Sequence, residues 1–242
     1  MTSRTALLGQ GARLAAEGRE AVLREGWLAK APPDFQEAVL ALAIWRRVEA
    51  GEEFIHAGDA EGGMWALARG SAEVALGLSH PDTRMIHLLH AVFWSGYLPL
   101  LGRPRMVSLV ARTPVLWCLV PQRGLERLLA EEPRWWRPIA ELVASHLELA
   151  GGGWADLTRQ DSTQRAIAAM LRAAGCRYRG PPEGTAAELR LGQRDLAGLA
   201  AMSRNTFGAI CADLERRGLI AIGYRAITLR RPDLLRAMIE EF

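Results

Sequence analysis

The pattern of apolar and polar positions changes several times along the chain. From Pro32, which suits the first turn of a helix, apolar residues recur at helical spacing to a predicted end near Ile44. Between Arg46 and Leu119 the pattern consists of short β-type runs separated by glycines. Evenly spaced short strands with glycine turns favour a compact antiparallel barrel or roll over a βαβ unit.

A helical period returns after Pro121 and again after Pro133. In the second segment the apolar positions follow a three-then-four spacing, which is typical of a helix that pairs with another helix. Those positions are Ile139, Leu142, Val143, His146, Leu149 and Ala150. The same spacing would also suit packing against the chain's own roll. Residues 151–153 are all glycine, and they cost on the order of 3 kcal/mol of helix propensity together, so we expect a kink or an end there.

The last third of the chain opens with a pair that is similar to a capping box, Asp161 and Gln164. This pair predicts the start of a helix that runs to about Ala174. Residues 175–186 contain two prolines and form a predicted loop, and residues 189–191 are a candidate short strand.

The strongest local signal lies between Gln193 and Leu219. Two short helices are predicted there, joined by Ala201, Met202 and Ser203. The predicted buried positions are Leu196, Leu199 and Ala200 on the first helix and Phe207, Ile210, Cys211 and Leu214 on the second. Two short helices with a three-residue connection make a helix-turn-helix.

The opposite face of the second helix has the chemistry of a base reader. Its exposed positions are predicted to be Arg204, Asn205, Gly208, Ala209 and Ala212. Three of these are small, so the wall of a DNA groove could approach closely while Arg204 and Asn205 project from the first turn. Arginine binds guanine, and asparagine binds adenine, through two hydrogen bonds each.

A hairpin is predicted after the second helix. Residues 219–222 and 226–229 flank Gly223, Tyr224 and Arg225. A wing of this kind commonly touches the phosphate backbone, which positions the protein without reading sequence.

Length and charge agree with a division into two domains. At 242 residues the chain suits two modest cores, because burial becomes adequate near about 100 residues per unit. Residues 1–160 carry 17 basic and 18 acidic side chains, whereas residues 161–242 carry 13 and 9. The excess positive charge in the last third is expected if that part meets a polyanion.

Targeting signals and cysteine frameworks are not evident. The longest apolar run, from Ala38 to Trp45, is shorter than the roughly 18 residues that span a bilayer, and the first residues lack a secretory core. We therefore expect a cytoplasmic protein that does not contact a membrane. The cysteines, Cys118, Cys176 and Cys211, are far apart and odd in number, so we expect buried thiols rather than disulfides or a metal knuckle.

These motifs together resemble the family of the cyclic-AMP receptor protein and the fumarate-nitrate regulator (CRP/FNR). Residues 203–208 followed by 214–220 are similar to the recognition helix and helix end of that family. In the N-terminal half, residues 54–59, residues 64–67 and Gly70 keep the strand and turn spacing of the family's cyclic-nucleotide-binding-like roll.

The resemblance covers about residues 26–229 and implies an α+β fold. Its parts would be an N-terminal antiparallel β-roll of the double-stranded β-helix or jelly-roll type, a long dimerisation helix and a C-terminal winged helix-turn-helix. It implies a homodimer that binds double-stranded DNA with a palindromic operator, and it makes RNA polymerase a candidate partner. The predicted DNA-binding residues are Gln193, Arg194, Ser203, Arg204, Asn205, Thr206 and Arg225.

We divide the chain on these grounds into four parts. Residues 1–26 form an arm, residues 27–132 a cyclic-nucleotide-binding-like sensor domain, residues 133–160 the dimerisation helix and hinge, and residues 161–242 the DNA-binding domain.

The segment that resembles the family's phosphate-binding cassette departs from it. In nucleotide-responsive members a glutamate accepts from the ribose hydroxyl, and an arginine followed by a serine or threonine holds the cyclic phosphate. Here residues 93–107, the cassette segment, place Arg105 at the arginine position but Tyr97 at the glutamate position and Met106 at the hydroxyl position. The lost carboxylate and hydroxyl predict a protein that cyclic nucleotides do not gate. Tyr97 is expected to hydrogen-bond Arg105 and to fill the pocket instead.

The residues expected to line this pocket are Trp94, Gly96, Tyr97, Arg105 and Met106. We expect no cofactor: an iron–sulfur cluster wants four thiolate ligands, and His87, His90 and His146, as candidate haem ligands, are better explained as packed side chains. The effector, if one exists, is undetermined.

Two rival functions are less well supported. A degenerate nucleotide-sensor module that binds a small ligand or a protein partner would have no reason to expose Arg204 and Asn205. An enzyme would need a nucleophile–base grouping, a metal-ligand spacing or a phosphate loop, and the sequence offers none that we recognise.

Overall fold

The computed structural model describes residues 2–60, 62–76, 85–178 and 185–240, with side chains from residue 11 onward. It divides into two compact units. The first consists of the described residues up to 76 together with residues 89–147, and the second consists of residues 85–88 and 148–240. Within these ranges no helix is both long and apolar enough to span a membrane.

Two helices precede the sheets of the first unit. The arm is the helix α1 (Thr2–Arg24), and α2 (Pro33–Leu42) follows with Pro32 as its N-cap residue. Pro33 is the first helical residue, a position that suits proline because the N–H it lacks would be left unpaired in a first helical turn. The predicted start is therefore confirmed, whereas the end comes two residues earlier than predicted because the first strand already begins at Ile44.

Two four-stranded sheets form the predicted roll. Their orders are β1-β8-β3-β6 and β2-β7-β4-β5, and the pairings described between strands are antiparallel. The strands are β1 (Ile44–Val48), β2 (Glu53–Ile55), β3 (Gly63–Arg69), β4 (Ala72–Leu76), β5 (Met85–Leu89), β6 (Phe93–Ser95), β7 (Val107–Ala111) and β8 (Val115–Pro121).

Strand β3 is buried on both faces, which explains why its sequence is apolar without alternation. Trp65 and Leu67 pack in the core between the sheets, where Leu109 also lies. Met64 and Ala66 point the other way, into a second core that is shared with the helices. Successive side chains of a strand alternate between its faces, so this one sheet supplies both cores.

The helices α3 (Gln122–Glu131) and α4 (Trp136–Leu157) follow the roll. Ile139 and Leu142 of α4 are 4% and 2% exposed, and both lie in the core shared with the roll. Two of the predicted pairing positions therefore pack within the chain. Val143 and Leu147, one position further along the helix, are 37% and 72% exposed.

A helix end at residues 151–153, one of the two expected outcomes, is wrong, because α4 continues through all three glycines to Leu157. Gly152 faces the hydroxyl of Tyr178, and a Cβ at this position would overlap that hydroxyl. One turn later Asp156 is buried and forms ion pairs with Arg172 and Arg177. These tertiary contacts hold the last turns of the helix in spite of its poor glycine propensity.

The second unit holds the remaining elements. They are α5 (Ser162–Ala173), β9 (Ala187–Leu189), α6 (Gln193–Leu199), α7 (Arg204–Arg216), β10 (Ile220–Gly223), β11 (Ala226–Leu229) and α8 (Pro232–Glu240). The strands form one sheet in the order β10-β11-β9. Strand β9 lies two residues before the predicted one, and the predicted loop of residues 175–186 lies partly outside the described residues.

Asp161 begins α5 as predicted. Its carboxylate accepts hydrogen bonds from the backbone N–H groups of Thr163 and Gln164, which an uncapped helix would leave unpaired. In a full capping box the Gln164 side chain would also bond the backbone N–H of Asp161. Here the Gln164 side chain instead accepts from Arg159 and donates to the backbone of Met238.

The three cysteines are free and buried, as predicted. Burial raises the pKa of Cys118 to about 12. Burial, together with the nearby charge of Glu215, raises the pKa of Cys211 to about 11. Both thiols are therefore protonated at neutral pH.

Candidate nucleic-acid interface and ligand pocket

Ser203 sets the start of the second helix of the pair. Its backbone is extended, and its Oγ accepts a hydrogen bond from the backbone N–H of Thr206 at 3.1 Å. The Thr206 hydroxyl lies 2.9 Å from the same oxygen. This cap satisfies one of the unpaired N–H groups of a helix start, so Arg204 and Asn205 occupy a fixed first turn.

The two faces of α7 divide as predicted, with one small difference. Phe207, Cys211 and Leu214 are fully buried, whereas Ile210, predicted to be buried, is only half-buried. The other side of the helix is solvent-facing, with Gly208 half-buried and the remaining residues exposed. The exposed residues are Arg204, Asn205, Ala209 and Ala212.

The first helix of the pair adds polar side chains next to this face. Arg194 is exposed, and Gln193 is half-buried. The side-chain oxygen of Gln193 lies against Gly208, 3.4 Å from where a Cβ would stand. The Gln193 amide is thus held next to the exposed face of α7.

The wing is the hairpin of β10 and β11, in which Gly223 pairs with Ala226. Tyr224 at its tip is 93% exposed. The next residue, Arg225, has a φ of 52°, a left-handed conformation that is uncommon for residues other than glycine. The exposed side chain of Arg225 therefore projects from the tip of the wing, and the backbone at this residue is strained.

A groove of about 580 Å³ runs between the helix pair and the wing. Three arginines line it, Arg194, Arg204 and Arg225, together with one carboxylate, that of Asp195. The excess of guanidinium groups suits an anionic ligand, and arginine pairs with phosphate through two parallel hydrogen bonds.

In the cassette segment Arg105 is buried, only 7% exposed. Its Nη2 donates to the backbone oxygen of Gly63 at 2.6 Å. Gly96, with a φ of 92°, leaves room for this guanidinium, since a Cβ there would lie 3.0 Å from Nη1. Burial lowers the pKa of Arg105, and the charge of Asp59 opposes this shift. The arginine at the phosphate position thus already has partners within the chain.

Tyr97 does not hydrogen-bond Arg105, contrary to the expectation. Its hydroxyl lies 3.2 Å from Nδ1 of His146 on α4. The His146 ring is stacked on Phe93, with centroids 5.0 Å apart and planes 5° from parallel, and it also hydrogen-bonds the backbone of Trp94. Burial lowers the pKa of His146 and raises that of Tyr97. His146, one of the three candidate haem ligands, is therefore a packed side chain with hydrogen-bonding partners.

The other expected pocket residues lie in different surroundings. Trp94 is 1% exposed and packs edge-on against Trp27 in the core shared with the helices. Met106 is 55% exposed and carries no strong hydrogen-bond donor for a phosphate. The structure thus brings Gly96 and Arg105 together but places Trp94 and Met106 elsewhere.

Sequence reasoning missed the partner of Tyr97, which lies 49 positions away on another element. An exposed face of α4 carries Trp136, Ala140, Val143 and Leu147, which we call the α4 stripe; of these, sequence reasoning named only Val143 as a pairing position. These residues are spaced by four, three and four positions, which the sequence alone shows. The pattern was obscured because the buried apolar positions of α4 form a second pattern along the same helix.

Two family models match separate parts of the chain. The cyclic nucleotide-binding domain matches residues 45–132, which hold the roll and α3. The Crp-like helix-turn-helix domain matches residues 164–238, which hold the helix pair, the wing and most of the last helix.

Comparison with known proteins gives matches that extend over most of the chain. The HTH-type transcriptional regulator Cmr of Mycobacterium tuberculosis is 28% identical over 234 residues, covering 90% of this chain and 89% of that protein. A CRP/FNR-family transcriptional regulator from Thermus thermophilus has the same fold at 19% identity, with a TM-score of 0.64 over 81% of this chain and 98% of that one. FixK2 of Bradyrhizobium japonicum matches at 18% identity, with a TM-score of 0.65 over 81% and 96%.

A cyclic-nucleotide-binding-like roll followed by a winged helix-turn-helix defines a class of DNA-binding transcription regulators. The α+β fold predicted from the sequence is confirmed. The chain belongs to the CRP/FNR family of transcription regulators.

Proposed function

We propose that this regulator binds a palindromic DNA operator as a homodimer and that cyclic nucleotides do not gate it. The observation that carries the proposal is the first turn of α7, where the Ser203 cap holds Arg204 and Asn205 exposed beside an arginine-lined groove. Side chains at this point of a recognition helix reach base edges in the major groove. A DNA-binding role also agrees with the expected cytoplasmic location.

Within this interface the residues divide into readers and anchors. Arg204 and Asn205 read bases, because they project from the helix start that enters the groove. Gln193, Arg194 and Arg225 flank that helix and contact phosphates, which positions the protein on the duplex. Ser203 and Thr206 fix the first turn through their mutual hydrogen bonds and lie at the same surface.

The α4 stripe supports the homodimer. Its large members, Trp136, Val143 and Leu147, are 42%, 37% and 72% exposed. They lie about a quarter-turn around the helix from Ile139 and Leu142, which are buried in the first unit, and the described residues leave these three side chains partly exposed. A contiguous exposed apolar surface at helical spacing is typical of a helix that pairs with a second helix.

The cassette segment supports independence from cyclic nucleotides. Tyr97 offers no carboxylate to a ribose hydroxyl, and Met106 offers no hydroxyl to a phosphate. Each lost hydrogen bond to a charged group is worth about 1.5 to 3 kcal/mol. Arg105, the one group that matches, is buried and donates to the Gly63 backbone, so part of its hydrogen-bonding capacity is already used within the chain.

Selection from random DNA fragments at a defined salt concentration tests this function. We expect an enriched palindrome with half-sites about 34 to 36 Å apart, bound by two copies of the chain with no nucleotide added. Recovery of fragments without a shared sequence, or of a single asymmetric half-site bound by one copy, would contradict the proposal. RNA polymerase is the further partner that we expect for such a regulator.

A further inference from the structure

Tyr97 and His146 link two parts of the first unit that are distant in sequence. Tyr97 precedes the short helical turn of residues 98–101 in the cassette segment, and His146 lies on α4. Besides the 3.2 Å contact between Oη and Nδ1, the two rings lie 5.5 Å apart. The link therefore combines a hydrogen bond with ring packing.

The surroundings of the His146 ring fix its protonation state. The hydrogen bond to the Trp94 backbone raises the pKa of His146, as expected when the ring donates to the carbonyl oxygen. We assign the donation to Trp94 to Nε2, so that Nδ1 of the neutral ring is the acceptor and the Tyr97 hydroxyl donates to it. The arrangement thus needs His146 uncharged and Tyr97 protonated.

The link acts on the side of α4 next to the α4 stripe, about a quarter-turn around the helix. Ile139 and Leu142 hold this side at two earlier positions, and His146 follows one turn after Leu142. The three side chains together determine how α4 is rotated against the roll. Since the stripe lies on the same rigid helix, its direction depends on them.

We propose that Tyr97 and His146 are positioning residues that hold the dimerisation helix in its DNA-binding arrangement without any ligand. This inference rests on the proposed function. Tyr97 stands where the family resemblance places a ribose-binding carboxylate, yet its hydroxyl is directed to α4. The position that would contact a ligand is thereby used to bind the chain's own helix.

Two variants remove the hydrogen bond while they keep an aromatic ring at each position. Tyr97→Phe deletes only the hydroxyl, and His146→Phe keeps a ring for stacking on Phe93 but loses the acceptor. With the full-length protein and its selected operator, in the absence of nucleotide, we expect Tyr97→Phe to weaken DNA binding by about threefold to tenfold, the range for one hydrogen bond. The double variant should bind no more weakly than His146→Phe alone, because the two changes remove one shared contact.

Ser145→Ala is the matched control, since the Ser145 hydroxyl bonds only the backbone of Leu142 on the same helix among its described contacts. It should bind the operator like the unaltered protein. Unchanged operator affinity in both ring variants, with specific binding by the unaltered protein, would overturn the inference and leave the proposed function standing. No specific binding by the unaltered protein would instead contradict the proposed function.

Imidazole nitrogen NMR supplies a readout that loss of stability alone would not change. We expect His146 of the unaltered protein to show an unprotonated, hydrogen-bonded Nδ1, and we expect Tyr97→Phe to shift that resonance toward the position of a free acceptor. A protonated Nδ1 in the unaltered protein, or the same resonance in Tyr97→Phe, would overturn the inference. If His146→Phe fails to fold, the operator affinity of Tyr97→Phe and the His146 Nδ1 resonance in that variant still test the inference.

Discussion

Nη1 of Arg172 donates to a carboxylate oxygen of Asp156 at 2.7 Å, and the two side chains are only 10% and 2% exposed. Arg177 adds hydrogen bonds to the same carboxylate at 3.1 and 3.2 Å, and Arg159 lies 3.5 Å away. One buried carboxylate thus balances several guanidinium groups. It ties the end of α4 to α5 and to the segment after it.

Replacement of Asp156 by asparagine should destabilise the second unit by about 3 kcal/mol. The amide has nearly the same shape, but it leaves buried arginines without their counter-charge, which is more costly than the loss of an exposed pair. Urea unfolding measures the difference. Asp213→Asn is the control, because Asp213 pairs with Arg216 at the surface, where such a pair contributes about 0 to 1 kcal/mol. Equal losses of stability in Asp156→Asn and Asp213→Asn would contradict the role assigned to the buried Asp156 carboxylate.

Arg204→Ala and Arg225→Ala should weaken DNA binding in different ways. Loss of Arg204 should cost about 1 to 3 kcal/mol and relax preference at one base pair, because it removes a base contact. Loss of Arg225 should weaken all sequences alike and reduce the salt slope by about one unit, because it removes a phosphate contact. Binding measured over a salt series on the operator and on its single-base variants separates the two. A uniform loss from Arg204→Ala would show that it contacts phosphate only.

Leu147→Glu should prevent dimer formation. Leu147 is the most exposed large residue of the α4 stripe, and each buried leucine stabilises an interface by about 1.5 to 3 kcal/mol, twice in a symmetric dimer. We expect a monomer by light scattering at micromolar concentration and an affinity reduced to that for a half-site. Leu101→Glu, at a 58% exposed position of the roll, is the control and should stay dimeric. A dimeric Leu147→Glu protein would place the interface elsewhere.

Stability should fall as the pH is lowered below about 6.5. Burial lowers the pKa of His146 in the folded state, so the unfolded chain binds the proton first, near the ordinary pKa of about 6.5. Between that value and the lower folded pKa the unfolded state holds more protons, and stability rises with pH. Urea midpoints measured from about pH 5 to pH 8 should show a steeper slope for the unaltered protein than for His146→Phe. Parallel curves would exclude His146 as the titrating group.

Cyclic AMP and cyclic GMP should not act as ligands. The two missing hydrogen bonds, at Tyr97 and Met106, add to about 3 to 6 kcal/mol, or some two to four decades in dissociation constant. Calorimetric titration with each nucleotide checks this. A dissociation constant below about 10 μM, coupled to tighter DNA binding, would show that the cassette segment still works as a sensor.

The sequence predicted the helix pair and the wing well because their signals are local. Phe207, Cys211 and Leu214 recur at helical spacing. The Ser203 cap and the Gly223 turn depend only on near neighbours. The hydrogen-bonding partners of Tyr97 and Arg105 could not be predicted. Those partners, His146 and the Gly63 backbone, are brought close only by the tertiary fold.

Two other differences between the sequence predictions and the structure have physical causes. The helix through residues 151–153 survives because contacts of Gly152 and Asp156 outweigh local propensity, and no window of sequence contains those contacts. Of the predicted pairing positions of α4, Val143 lies on the α4 stripe. Ile139 and Leu142, the strongest apolar pair in that segment, serve the chain's own core.

The three buried thiols give each unit its own internal reporter of opening. Cys118 lies in the first unit, and Cys176 and Cys211 lie in the second. Because their buried thiols have raised pKa values, the reactive thiolate forms readily only when the surrounding core opens. Pulsed alkylation followed by mass spectrometry would therefore time the local unfolding of the roll and of the DNA-binding unit separately, in one native molecule without any introduced label.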